Sequence, residues 1–121
     1  SKWRIHSTYS NNPWLQEIHG GRPQVSIHPD DAAARDISDD DEIEVFNTRG
    51  SLKAWAHVTD AARHGTATLP EGWWSRYFIE GKGVNELTSS AINPIHEDWY
   101  VPNMWAPSTG WKDCRCEVRR V

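Results

Sequence analysis

The sequence lacks most of what would let it act alone, and each absence removes a class of function. No apolar run approaches the roughly 18 residues that cross a bilayer as a helix, and no signal-peptide pattern opens the chain. Lys and Arg number 13 against 17 Asp and Glu, so the formal charge is −4 and bulk attraction to nucleic acid is excluded. Cysteine occurs only at Cys114 and Cys116. Neighbouring same-face positions rarely suit a disulfide, and two thiols without a second spaced pair make a poor zinc site. Both are expected as buried or half-buried thiols. No H-x-x-x-H pair, G-x-S-x-G elbow or phosphate-cradling glycine loop is present. His6, His19, His28, His57, His64 and His96 are scattered, and the acidic residues gather in turns. No catalytic residue and no metal ligand is assigned. The chain also has no initiator Met, and Ser1-Lys2-Trp3-Arg4-Ile5 begins as if inside a strand, so a piece of a longer polypeptide is expected.

What the chain does have is tryptophan, eight in 121 residues. Several stand in segments broken by Gly and Pro, where a large flat side chain lines a ligand surface or packs on a neighbouring domain. The organising stretch runs from Gln24 to Thr59. Val25 and Ile27 alternate with polar neighbours, the period of a half-buried strand. Pro29 at a first helical position, with Asp30 and Asp31 at the positive end of a helix dipole, then predicts about two helical turns through Ala32-Ala33-Ala34-Arg35. Asp39-Asp40-Asp41 ends the segment. Ile43, Val45 and Phe46 resume strand chemistry, and Asn47-Thr48-Arg49-Gly50 predicts a hairpin turn with Gly50 at positive φ. Leu52, Ala54, Ala56 and Val58 alternate as the returning strand.

Around this unit, Trp3 and Ile5 predict a first strand, followed by the polar loop His6-Ser7-Thr8-Tyr9-Ser10-Asn11-Asn12. A dense run of donors and acceptors after a strand suits either a solvated turn or a cradle for a polar ligand. Asn12 as N-cap and Pro13 at the next position predict a short helix through Ile18. Thr66, Thr68 and Leu69 predict a short strand. From Pro70 to about Asp113 the chain is irregular, and loops this long are functional or packed on a partner. Within it Leu87 anchors while Asn85 and Thr88 present polar groups. Cys114, Cys116 and Val118 alternate as a closing strand.

Four segments in order carry a family resemblance: Arg4 with His6-Ser7-Thr8-Tyr9-Ser10-Asn11; His28-Pro29-Asp30-Asp31 through Val45-Phe46-Asn47-Thr48-Arg49-Gly50; Pro70-Glu71-Gly72-Trp73; and Val84-Asn85-Glu86-Leu87-Thr88. Together they resemble the C-terminal molybdopterin dinucleotide-binding domain of the dimethyl sulfoxide reductase family. The resemblance implies a mainly β fold, a six-stranded double-psi β-barrel with short helices and long loops, and one domain over residues 1–121 at the C-terminal end of a much larger subunit. The pattern is broken where Asp36 and Asp40 stand in place of the family's usual glycines. Aspartate tolerates the left-handed conformation at around a kcal/mol.

The resemblance further implies binding of bis-molybdopterin guanine dinucleotide, in a molybdenum or tungsten oxidoreductase of anaerobic respiration. His6, Ser7, Thr8 and Asn11 match the family's cofactor loop. Asn85 and Thr88 match its N-x-L-T segment, and Trp111 with Lys112 resembles an aromatic-Lys pair set against a pterin. Molybdenum or tungsten is held elsewhere in the parent protein, which also has room for an iron-sulfur cluster. The expected partners are an iron-sulfur electron-transfer subunit and the remaining domains of the same catalytic subunit, with neither nucleic acid nor direct membrane contact. The resemblance implies a prokaryotic protein and leaves open whether it is periplasmic or cytoplasmic and whether partner subunits hold it at a membrane. Two rival functions are a Trp-rich carbohydrate-binding module, which requires coplanar exposed Trp73, Trp74, Trp99 or Trp105, and a double-psi barrel that recognises peptides. Arg49 is expected to pair with the acidic turn at Asp39–Asp41.

Overall fold

A computed structural model describes residues 7–88 and 114–121. In chain order these form helix α1 (Pro13–Ile18), strand β1 (Gln24–Ile27), helix α2 (Pro29–Ala33) and strands β2 (Glu42–Phe46), β3 (Ser51–Val58) and β4 (Ala67–Thr68). Two short 3-10 helices, η1 (Ser75–Tyr77) and η2 (Val84–Leu87), precede strand β5 (Glu117–Arg120). The fold is mainly β, a curled five-stranded sheet ordered β4-β1-β3-β2-β5. The expected strand at Trp3–Ile5 lies outside the described residues.

β3 is the hub because the hairpin returns it between two earlier strands. It runs parallel to β1 and antiparallel to β2. One face of the sheet collects Val25, Ile27, Ile43, Val45, Leu52, Ala54, Ala56 and Val118, all buried. Register matches large to small across that face: Val25 lies opposite Ala56 and Ile43 opposite Ala54. A β-branched side chain thus fills the space an alanine leaves, which keeps interior density high without off-rotamer strain. Burying a side chain such as Ile43 contributes about 1.5–3 kcal/mol. Ala32 of α2 and Ile37 close the cluster from one side, and Phe78 and Leu87 join it from the irregular stretch after Pro70.

The helix boundaries follow local chemistry. The Asn12 side chain accepts from the Trp14 and Leu15 amides, and Pro13 needs no partner there. The His28 side chain caps α2 by accepting from the Asp30 amide at 3.2 Å. Both helices end in a left-handed residue. After α1 it is Gly20 at φ 75°, and after α2 it is Asp36 at φ 53°. Ile37 N–H then bonds Ala32 O, and Asp36 N–H bonds Ala33 O, the paired closure expected of such an end. Asp40 is also left-handed at φ 67°. The two aspartates in place of glycine therefore sit where the chain needs positive φ.

Three expectations shift. Gly50 does not take positive φ. Its lack of a side chain matters for another reason, since a Cβ there would lie 2.8 Å from Glu86 O. The closing strand begins at Glu117, leaving Cys114 half-buried against the core and Cys116 exposed. Arginines other than Arg49 meet the acidic turn: Asp40 pairs with Arg22 at 2.5 Å and Asp41 with Arg120 at 3.3 Å.

Candidate functional site

The polar loop is two overlapping turns, closed by Ser10 N–H to Ser7 O and Asn12 N–H to Tyr9 O, each at 3.1 Å. Ser7, Thr8 and Asn11 are exposed. Ser10 is wholly buried and is the residue that fixes the loop: its hydroxyl donates to Gly72 O, and its carbonyl accepts from the Gln16 side-chain amide. Trp74 Nε1 donates to Ser7 O at 3.3 Å. All three bonds take hold of the loop through Ser10 or backbone carbonyls, while the side chains of Ser7, Thr8 and Asn11 face outward.

The second candidate segment is η2. Leu87 is buried and Val84 half-buried against the same core, which turns Asn85 and Glu86 to solvent. The Thr88 hydroxyl donates to Asn85 O at 3.2 Å. Asn47 sets the position of the whole segment. Its Oδ1 accepts from the Arg49 and Gly50 amides, and its Nδ2 donates to Leu87 O at 2.8 Å and Arg115 O at 3.2 Å. One side chain thereby joins the β2–β3 turn, the end of η2 and the chain that enters β5.

The two segments are tied through the stretch between them. Gly72 and Trp74 hold the loop, and Ser75, the next residue, packs so closely on Gly83 that a Cβ there would meet its Oγ at 3.0 Å. Lys53 pairs with Glu80 at 2.5 Å and pins the same stretch to the central strand. That pairing raises the ammonium and lowers the carboxyl from their ordinary values. His6, Trp111 and Lys112 lie outside the described residues. Ser10 does not stand out in the sequence, and Asn47 is marked there only as a turn residue, because the bonds to Gly72, Leu87 and Arg115 come from far along the chain.

Two cavities lie where β4 and the approach to β5 share walls. The larger, about 710 Å³, is lined by Arg35, Arg63, Arg115, Asp31 and Glu117 among others. The smaller, about 470 Å³, is more apolar and includes Val25, Leu52, Leu69 and Leu87. Neither is lined by Ser7, Thr8, Asn11, Asn85 or Thr88. Among the described residues no group of His, Cys, Asp or Glu is placed to hold a metal ion, and no helix is long and apolar enough to cross a membrane.

The tryptophans form no flat platform at Trp73 and Trp74. Trp73 packs on the core and meets Tyr77 edge-on at 5.7 Å, and the Arg76 guanidinium covers Trp74 at 4.5 Å. Trp99 and Trp105 lie outside the described residues.

The Ser7–Asn11 loop and η2 thus present neutral hydroxyl and amide groups from backbone that the rest of the fold holds in place. Exposed donors held on rigid backbone suit an anionic, many-oxygened ligand, and no carboxylate stands between Ser7 and Asn12 to repel it.

Residues 1–101 match the model of the molydopterin dinucleotide binding domain, and the chain belongs to that family. It is 38% identical over its full length to a protein of Halobacterium salinarum assigned as the catalytic chain of a dimethyl sulfoxide reductase, covering 13% of that protein. Identity to the dimethyl sulfoxide reductase DmsA of Escherichia coli is 34% over 98 residues, 78% of this chain and 12% of the relative. The alpha chain of the respiratory nitrate reductase of Haloferax mediterranei is 30% identical over 99% of this chain and 13% of its own length. The acetylene hydratase of Pelobacter acetylenicus shares the fold, with a TM-score of 0.70 over 100% of this chain and 17% of that one, at 20% identity. The chain is thus a molybdopterin dinucleotide-binding domain. It spans only 12–13% of the length of these curated relatives.

Proposed function

We propose that this domain grips one side of a bis-molybdopterin guanine dinucleotide, as the C-terminal part of a longer catalytic subunit. The curled sheet is read as five strands of a six-stranded double-psi β-barrel, a reading supported by β3 pairing parallel with β1 and antiparallel with β2. Ser7, Thr8, Asn11, Asn85 and Thr88 are the described residues that contact the cofactor. His6, Trp111 and Lys112 complete the set from outside the described residues.

The observation that carries this is the contrast between fixed backbone and exposed side chains in both segments. The Ser7–Asn11 loop is held by Ser10, Trp74 and Gln16, and η2 by Asn47 and Leu87. The exposed side chains of Ser7, Thr8, Asn11 and Asn85 are left to meet a ligand with little ordering cost. A domain of charge −4 gains nothing from bulk attraction to diphosphates. Affinity comes from many local hydrogen bonds, about 0.5–1.5 kcal/mol each and roughly 1.5–3 kcal/mol to a charged group.

The bound metal carries the redox chemistry, and its protein ligand belongs to another part of the parent polypeptide, as do any iron-sulfur cluster and the docking of an electron-transfer subunit. This chain binds and orients. Hydrogen exchange on the intact subunit with and without cofactor tests the assignment. Protection at residues 7–11 and 85–88 on cofactor binding is expected, and unchanged exchange in both segments would overturn it.

A further inference from the structure

α1 is built inside out. A surface helix ordinarily turns its apolar stripe to the core and its polar side to water. Here the buried residue is Gln16, fastened to Ser10 O, whereas Trp14 is 78% and Ile18 60% exposed. Positions four apart share one face of a helix, so these two side chains stand together on the outward side, opposite Gln16. The face is rigid as well as apolar. Asn12 and Pro13 fix its start, and Gly20 with Gly21 closes its end through bonds to Glu17 O and Gln16 O.

We propose that the Trp14–Ile18 face of α1 is the docking surface through which this domain seats on the remainder of a longer reductase subunit, in an apolar socket. The proposal rests on the reading of this chain as one domain of such a subunit. Three observations select this occupant. The chain covers 13% of the length of its full-coverage relatives, so in a protein of that size the remainder is the neighbour present at highest effective concentration. A lipid surface is disfavoured because α1 carries no Lys or Arg, whereas interfacial helices are rich in both on their polar face. Tryptophan flanked by an aliphatic residue on preorganised backbone is also the composition of a protein-interface anchor.

The seat has a consequence for the cofactor loop. Gln16 and Ser10 join α1 directly to the segment that carries Ser7, Thr8 and Asn11. Docking of the outward face therefore holds that loop from behind, and releasing α1 loosens it.

The test is hydroxyl-radical footprinting of the 121-residue chain and of the wild-type intact subunit, with cofactor content measured by extraction. We expect oxidation at Trp14 to be about tenfold slower in the subunit than in the chain. We also expect Trp14→Glu with Ile18→Lys to lower cofactor retention by the subunit while leaving the circular dichroism of the 121-residue chain unchanged. Equal oxidation at Trp14 in a subunit that contains the cofactor overturns the docking proposal and spares the functional reading. Protection that disappears on dilution assigns the face to a second copy, and protection that requires anionic vesicles assigns it to a membrane; either overturns the proposal. Protection at Trp14 in a subunit that neither retains nor takes up added pterin dinucleotide overturns the functional reading and leaves the docking surface standing.

Discussion

The Asn47 side-chain amide donates to the Leu87 carbonyl at 2.8 Å, across 40 residues of sequence. The same nitrogen reaches Arg115 O, and the oxygen of that amide accepts from the amides of Arg49 and Gly50. One carboxamide therefore uses its donor end for tertiary contacts and its acceptor end for its own turn.

This division makes Asn47→Asp a selective probe. The carboxylate keeps the turn bonds but sets negative charge against two carbonyl oxygens. We expect a loss of about 1–3 kcal/mol, the cost of leaving partly buried groups unsatisfied. Chemical denaturation measures it, and amide exchange should rise at Leu87 and Thr88 before it rises in β3. In the intact subunit the same variant should release cofactor more readily than the wild type.

Gly50→Ala tests the second hold on η2. A methyl at this position comes within 2.8 Å of Glu86 O, a backbone atom that cannot rotate away. Overpacking of this kind costs about 1–3 kcal/mol. A variant with wild-type stability would show that η2 is free to shift, and would weaken the case that its position is set by the β2–β3 turn.

Asp36 and Asp40 both occupy left-handed backbone, yet they should respond differently to glycine. Asp36 ends α2 through backbone bonds, so Asp36→Gly should stabilise by up to about 1 kcal/mol as the Cβ penalty is removed. Asp40 also accepts from Arg22 and from Gln24 at 3.1 Å. Asp40→Gly gives up those contacts, and the two effects should nearly cancel. Thermal melts of the two variants, side by side, check the contrast.

Much of the sheet was legible because its signals are local. Alternation identified β1, β2 and β3, and Asn12, Pro13 and Pro29 marked the starts of both helices. The left-handed turns at Asp36 and Asp40 were legible from aspartate standing where the family uses glycine. What stayed hidden depends on partners distant in sequence. Gly50 looked like a positive-φ turn residue, and only the approach of Glu86 reveals why a side chain is excluded. Ser10 sits among seven similar polar residues, and nothing in that run marks it as the buried one. Arg49 seemed the natural partner of the acidic turn, but β5 and the approach to β1 bring Arg120 and Arg22 closer. The outward face of α1 was legible only in part, since tryptophan in a segment broken by Pro and Gly points to a surface role but does not show that Gln16 takes the buried side.

The carboxylates that hold β5 predict where acid acts first. The Glu117 carboxyl is lowered by the Arg35 guanidinium, bound at 2.8 Å, and by the Val118 amide. The Glu44 carboxyl is lowered by the Ser51 hydroxyl and by Arg119, which bonds it at 2.7 Å. Both folded values lie below the ordinary 4.5, so their contribution is fully present above about pH 4.5 and is lost as pH falls through the folded values. Each pair joins β5 to an element more than 70 residues away, Arg35 beside α2 and Glu44 in β2. Amide exchange, corrected for its intrinsic rate, should therefore rise at Val118–Val121 below pH 4.5 while β3 remains protected. Since exposed pairs are screened, 1 M salt at pH 7 should produce a weaker version of the same fraying. Glu44→Gln combined with Glu117→Gln should flatten the acid limb of the melting profile; an unchanged limb would place the acid-sensitive groups elsewhere in the chain.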